Sequence, residues 1–209
     1  MRLLAWFFLL MPLLYADTLS LDEVFDKMIQ SSGGVTALKQ LKHYEQQWSR
    51  NGSTLEREVR LPYKLIEKLD QQGHTTLLAL NDGHLRYEKA GKTLKTDDLQ
   101  RDAMRLELMR LYTPALLQKQ CNVEMHETPQ FYIIDFSNGM VLSHFYVDKK
   151  RFLIQKVLGE IRGSHFKADV ELGAYQNTQG VLLPSTEHYH DTQDHDYLQH
   201  LESTRFFKK

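Results

Sequence analysis

The densest group of chemically competent side chains in this sequence is His188-Tyr189-His190-Asp191-Thr192-Gln193-Asp194-His195-Asp196. On an extended strand His188 and His190 share a face, because side chains alternate with a period of two. Two imidazoles on one face can ligate a metal ion, with Asp194, His195 or Asp196 completing the set. The spacing fixes no third ligand, and the aspartates favour a polar hairpin tip. No metal site is assigned, and His188 and His190 stand as its candidates. The single cysteine, Cys121, lies near Lys119 at a helix-to-strand transition. A thiolate there could react, but a lone cysteine behaves first as a small buried hydrophobe. Alone it makes neither an intrachain disulfide nor a thiolate zinc cluster. There is no Gly-x-Ser-x-Gly elbow, phosphate-binding P-loop or His-Glu-x-x-His helix. No catalytic residue and no cofactor are assigned, and a non-enzymatic role is expected.

The charge balance narrows the partners. The chain has 209 residues, with 26 Lys and Arg against 27 Asp and Glu, for a formal net charge of -1. Nucleic-acid binding needs a basic excess to neutralise phosphates, so a nucleic-acid partner is not expected. A polybasic attachment to a membrane surface is not expected either. Residues 1–16 read MRLLAWFFLLMPLLYA, with a basic start, an apolar run and a small residue before Asp17. That is the plan of a cleaved secretory signal. The run is short of the ~20 residues needed to span a bilayer. Residues 17–209 are expected to form a single exported domain.

The elements that must position any site follow from periodicity. Ser20 and Glu23 have the spacing of a capping box, and Leu21, Val24, Phe25, Met28 and Ile29 recur at helical spacing. Gly33-Gly34 stops this helix, and a short helical turn is expected at 36–41. From residue 42 the period becomes two. Strands are expected at 42–50, 54–61, 63–70, 74–81 and 84–89, joined by turns at Asn51-Gly52, Gln72-Gly73 and Asp82-Gly83. Residues 96–119 return to helical period. Met104, Leu108, Leu111, Tyr112, Ala115 and Leu116 form one face, with Asp98/Arg101, Asp102/Arg105 and Glu107/Arg110 as i,i+3 ion pairs. Pro114 suggests a kink there. Strands resume at 122–126, 130–137, 140–147, 152–161, 166–172, 181–190 and 197–207. Successive short strands with tight turns indicate an antiparallel meander, mainly β within an α+β class. Several strands, 131–136 and 140–147 among them, are apolar on both faces. Either the sheet curls on itself around a filled core or a concave apolar face is left for a ligand.

Three local patterns carry a resemblance. Gly33-Gly34 is followed by Leu38, Leu41, Lys42 and a strand. Asn81-Asp82-Gly83 is followed by Leu85 and Tyr87. Glu171-Leu172-Gly173-x-Tyr175 precedes Gly180-x-x-Leu183-Pro184. In this order, behind a signal sequence, they resemble the LolA-like superfamily of periplasmic outer-membrane lipoprotein-sorting proteins. The resemblance covers most of residues 17–209 and departs from the family where a Trp is often seen at the Asp-Gly hairpin. It implies a curved antiparallel sheet forming an incomplete (half) barrel, with the N-terminal and mid-chain helices covering the opening. It also implies a periplasmic carrier or chaperone that buries acyl chains of lipid or lipid-modified protein. Partner proteins of the inner and outer membranes would hand over or accept the cargo. The expected cavity wall is Leu78, Leu80, Phe131, Ile133, Phe145 and Val147, and the expected lid is the helix carrying Met104, Leu108, Leu111 and Leu116. The residues leave two alternatives. One is a metal-dependent enzyme built on His188 and His190; the other is a protein-binding sensor domain of the same fold with a filled core.

Overall fold

A computed structural model describes residues 19–111 and 122–207. The proposed signal, residues 1–16, lies outside the described residues, as do Leu116 and Cys121. Among the described residues no helix is long and apolar enough to cross a membrane.

The capping box forms at the start of α1 (Leu21–Ser31): the Glu23 amide donates to Ser20 Oγ at 3.4 Å and the Ser20 amide to Glu23 Oε2 at 2.7 Å. Gly33 and Gly34 follow with φ of +111° and +85°, and α2 (Gly34–Gln40) restarts at once, two residues earlier than expected. Gly33 is required twice over. Its backbone is left-handed, and a Cβ there would sit 2.0 Å from the Gly180 carbonyl oxygen. Val24, Phe25 and Met28 are buried, as the helical spacing predicts.

Among the described residues the main sheet has thirteen antiparallel strands. Its first wing comprises β1 (His43–Arg50), β2 (Ser53–Arg60), β3 (Lys64–Gln71), β4 (His74–Asn81), β5 (His84–Lys89) and β6 (Lys92–Leu94). Its second wing comprises β7 (Asn122–Glu127), β8 (Phe131–Asn138), β9 (Val141–Asp148), β10 (Ile154–Ile161) and β11 (Lys167–Leu172). β14 (Thr186–Asp191) and β15 (Asp196–Phe206) join the wings, giving the order β6-β5-β4-β3-β2-β1-β15-β14-β11-β10-β9-β8-β7. A separate two-stranded ribbon is made by β12 (Tyr175–Thr178) and β13 (Val181–Pro184).

The expected strand over 181–190 is therefore two strands. Ser185 breaks it, its amide and hydroxyl both donating to the Ala174 carbonyl at 2.7 and 2.5 Å. β13 turns back onto β12 while β14 enters the large sheet. The short edge strand β6 and the polar β12 lack the apolar alternation that marks the others.

The helix α3 (Asp98–Arg110) is capped by Asp97, which accepts from the Gln100 amide at 2.8 Å. It touches β3, β4 and β5 on one wing and β9 and β10 on the other. In a flat sheet β5 and β10 would be eight strand spacings apart, roughly 38 Å at the usual spacing. A helix of this length spans only about 20 Å. The sheet must curve around α3, and because among the described residues β6 and β7 are both unpaired on their outer edges it does not close. The architecture is an open half-barrel whose inner face carries the helices. Ile134, Phe136, Phe145 and Val147 from the second wing and Tyr44, Val59, Leu65 and Leu80 from the first form one core with α1, α2 and α3.

Candidate functional site

The inner face is not uniformly apolar. Alternation along β2 turns Leu55, Arg57 and Val59 inward together, and Arg57 is 1% exposed. An arginine cannot be left there without counter-charge, because removing it from water costs several kcal/mol. Three carboxylates meet it. Nε donates to Glu67 Oε1 at 2.8 Å, Nη2 donates to Glu107 Oε1 at 3.0 Å, and Nη1 lies 3.5 Å from Glu187 Oε2 in an ion pair without a hydrogen bond. Arg110, at the end of α3, makes a two-pronged contact with Glu187, at 3.1 Å to Oε1 and 2.9 Å to Oε2, and also pairs with Glu107. Gln199 Nε2 donates to Glu187 Oε2 at 2.6 Å, and its Oε1 accepts from Arg50 Nε and Nη2 at 3.1 and 2.8 Å. Arg50 in turn lies over the Tyr197 ring, 3.6 Å from its centroid.

The electrostatics follow from this geometry. Burial by itself would raise the Glu187 pKa. The charges of Arg110 and Arg57 outweigh burial, and with hydrogen bonds from Arg110 and Gln199 they bring it down to about 2. Burial pushes the phenols of Tyr44, Tyr175, Tyr189 and Tyr197 well above their ordinary value, so all four remain neutral.

This charged cluster stands between two cavities. The smaller, about 100 Å³, lies against α1, α2 and the β12–β13 ribbon and is lined by Met28, Leu38, Tyr44, Leu182 and, at its inner end, Arg110 and Glu187. The larger, about 360 Å³, lies between α3 and the sheet. Leu78, Ala103, Met104, Leu106, Val157, Val170, Tyr189 and Tyr197 supply its apolar wall, and Arg50, Glu67, Glu107 and Arg110 its charged end. The tyrosines stack nearly flat, with centroids 4.8 Å apart and an interplanar angle of 5°. Gly159 lines the cavity where α3 approaches β10, and a Cβ there would be 2.5 Å from Leu106 Cδ2. A volume of this size lies at the lower end of small-ligand pockets.

The residues expected to form the wall are divided by the structure. Leu78 lines the larger cavity. Leu80, Phe145 and Val147 are on the same inner face but fully packed into the core. Phe131 and Ile133 are on the opposite face, because β8 turns Tyr132, Ile134 and Phe136 inward and alternation sends their neighbours out. There Phe131 packs edge-on against Tyr146. With both faces of β8 apolar, composition could not choose between them. On α3, Met104 lines the larger cavity, Leu108 is buried and Leu111 lines the smaller one. The expected ion pairs of this helix form. Glu107/Arg110, however, faces inward and joins the sheet rather than water.

The histidine tract splits by the same rule. His188 and His190 are exposed on the outer face and converge on Asp196, with His188 Nε2 at 3.0 Å and His190 Nδ1 at 3.6 Å. Asp191, inward and buried, accepts from Tyr189 Oη at 3.0 Å and from the Gln193 and His195 amides at 2.8 and 3.1 Å, and it meets the His195 ring at 2.9 Å. Burial would raise its pKa, but these contacts, led by His195, hold it below the usual carboxylate value. Among the described residues no group of three or more His, Cys, Asp or Glu is placed to hold a metal ion.

The half-open antiparallel barrel with helices on its inner face and cavities beneath them is a fold that two solved structures share. The described structure has this fold by comparison with solved structures. A LolA superfamily protein from Nitrosomonas europaea superposes with a TM-score of 0.55 at 6% identity, over 85% of this chain and 94% of that one. A putative outer membrane lipoprotein-sorting protein domain from Vibrio parahaemolyticus superposes with a TM-score of 0.56 at 10% identity, over 88% and 91%. No protein-family model and no curated protein matches the sequence.

Proposed function

We propose that the protein is a periplasmic carrier or chaperone that shields the acyl chains of a lipid or a lipid-modified protein. The observation that carries this reading is the cavity of about 360 Å³ between α3 and the inner sheet face, walled by aliphatic and aromatic side chains. Each methylene buried there stabilises the complex by about 0.8 kcal/mol. Displacement of α3 would widen the cavity, and membrane proteins would supply and accept the cargo. Residues 1–16 would direct export and be removed. The similarity in fold to a lipoprotein-sorting domain supports the reading.

The test begins with native mass spectrometry of the protein purified from cells, with a neutral apolar dye titrated into delipidated protein. Co-purifying acyl lipid and saturable dye binding are expected. Ala103→Trp, which places a bulky side chain in the cavity wall, is expected to lower dye affinity at least about ten-fold while leaving the fold intact, since it removes the space that burial requires. Absence of both lipid and dye binding in the unaltered protein would overturn the proposal.

A further inference from the structure

We propose that the smaller cavity is a second binding site, which takes a small neutral ligand carrying a carbonyl group on a short aliphatic body. This site is separate from the larger cavity on which the carrier reading rests. Its polar lining is Ser32, Tyr44, Gln46, Arg110, Tyr175 and Glu187. Arg110 and Glu187 hold each other at 3.1 and 2.9 Å and bring no net charge. Tyr175 Oη donates to the Ile154 carbonyl at 2.5 Å. Ser32, at the end of α1, is partly exposed.

Tyr44 and Gln46 remain. They are two residues apart on β1, so alternation turns both inward, and they are 3% and 6% exposed. Gln46 Oε1 accepts from Trp48 Nε1 at 3.3 Å, which fixes the amide and leaves Nε2 as a donor. Burial keeps the Tyr44 phenol protonated, so its Oη can donate as well. Neither Tyr44 Oη nor Gln46 Nε2 donates to a described residue, and both side chains line the cavity. Buried donors without an acceptor are costly, and folded proteins meet them with water or a ligand.

Water fits this cavity poorly. One molecule could bridge the two donors, but Met28, Leu38, Phe152 and Leu182 wall the remaining space, and apolar space of that kind stays dry. The donors call for an acceptor and the wall calls for hydrocarbon. A carbonyl oxygen offers two lone pairs and no charge, which suits two donors beside a balanced ion pair. The volume is about 100 Å³, below the roughly 150 Å³ that admits a benzene ring. The buried part of the ligand is therefore a few carbons long, as in a short-chain ketone, ester or amide.

Titration of the full protein, labelled with ¹³C at its methionine methyls, tests the proposal. Met28 reports the smaller cavity and Met104 the larger. The probe is pentan-2-one. It is compared with 2-methylpent-1-ene, in which a CH₂ replaces the oxygen, and with the anion butanoate. Pentan-2-one is expected to shift Met28 saturably, to leave Met104 in place and to bind more tightly than butanoate. Tyr44→Phe removes an oxygen that bonds to no described residue, and Gln46→Leu removes the other donor. Each is expected to weaken pentan-2-one about five-fold, the loss of one neutral hydrogen bond, and to leave the alkene's affinity no weaker. A loss in one variant alone would assign the carbonyl to that donor. No saturable shift of Met28, tighter binding of butanoate, unchanged ketone affinity in both variants, or equal losses for ketone and alkene would overturn the proposal. Should Gln46→Leu fail to fold, Tyr44→Phe decides alone. None of these outcomes touches the larger cavity, so the carrier reading stands or falls separately.

Discussion

Glu187→Gln tests the charged cluster most directly. The substitution keeps the shape of the side chain and removes its charge. In the folded protein the Glu187 pKa is depressed from 4.5 to about 2. Each unit is worth about 1.36 kcal/mol, so holding this carboxyl ionised contributes about 3 kcal/mol. The side chain is only 4% exposed, so little of that is screened by water. The amide can accept from one of Arg110 and Arg57, but its NH₂ then faces the other, a donor against a donor. Loss of one member of a buried pair typically costs about 3–5 kcal/mol, in the same range. Thermal unfolding of E187Q is expected about 6–12 °C below the parent at pH 7, using ~2–4 °C per kcal/mol for a chain of this size. The pH dependence has a fixed sign. A depressed carboxyl contributes stability that is fully present above its unfolded pKa, 4.5, and lost as the pH falls toward about 2. The gap between parent and E187Q should therefore be constant above that range and close below it. The double variant E187Q/R110M is expected to lose less than the sum of its parts, because the second change removes a charge the first left uncompensated. A shift under about 0.5 kcal/mol, or an acid profile identical in parent and E187Q, would refute the assignment.

Two further outcomes test how the helices are seated. Gly159→Ala places a Cβ 2.5 Å from Leu106 Cδ2, and denaturant unfolding is expected to show a loss of about 1–3 kcal/mol from overpacking. Adding Leu106→Ala should return part of it, and a double variant no better than the single would mean that α3 does not bear on β10 there. Gly33→Ala combines a left-handed backbone with a Cβ 2.0 Å from the Gly180 carbonyl oxygen. Chemical denaturation should show a loss of at least about 1–3 kcal/mol, and native hydrogen exchange should show loosening of α1, α2 and the β12–β13 ribbon before the main sheet. Unchanged protection in that ribbon would sink the second claim.

The meander was legible because most of its strands alternate and end on Asn-Gly, Asp-Gly or Gln-Gly turns. Asn51, Gln72 and Asp82 do adopt positive φ there, next to Gly52, Gly73 and Gly83. The capping box of α1 was legible for the same reason: its signals are local. The split at Ser185 was not, since what breaks the strand is a contact with Ala174, eleven residues away. The faces of β8 were undecidable while both Phe131/Ile133 and Tyr132/Ile134 were apolar. The charged cluster left one signal that sequence reasoning passed over, an arginine in phase with Leu55 and Val59 on β2. Its partners Glu67, Glu107 and Glu187 come from β3, α3 and β14, and no local pattern links them.

The placement of those charges bears on why a cavity exists at all. Apolar packing alone is non-directional and would tend to close the space between a helix and a concave sheet. On one side of α3, Gly159 removes a side chain and Leu106 settles close to β10. On the other side Glu107 and Arg110, both near the end of α3, reach the sheet through long side chains that end on Arg57 and Glu187. Directional hydrogen bonds of fixed length set that distance, and the ions cannot be pressed further into apolar surface without losing them. The helix is thus seated on β10 at Leu106 and tied to the sheet through Glu107 and Arg110, and all three side chains line the larger cavity. Replacing such a cluster by well-packed apolar side chains is often neutral or stabilising. By this argument, apolar replacement of the whole cluster should leave stability little changed while the larger cavity shrinks, whereas removal of Glu187 alone should destabilise.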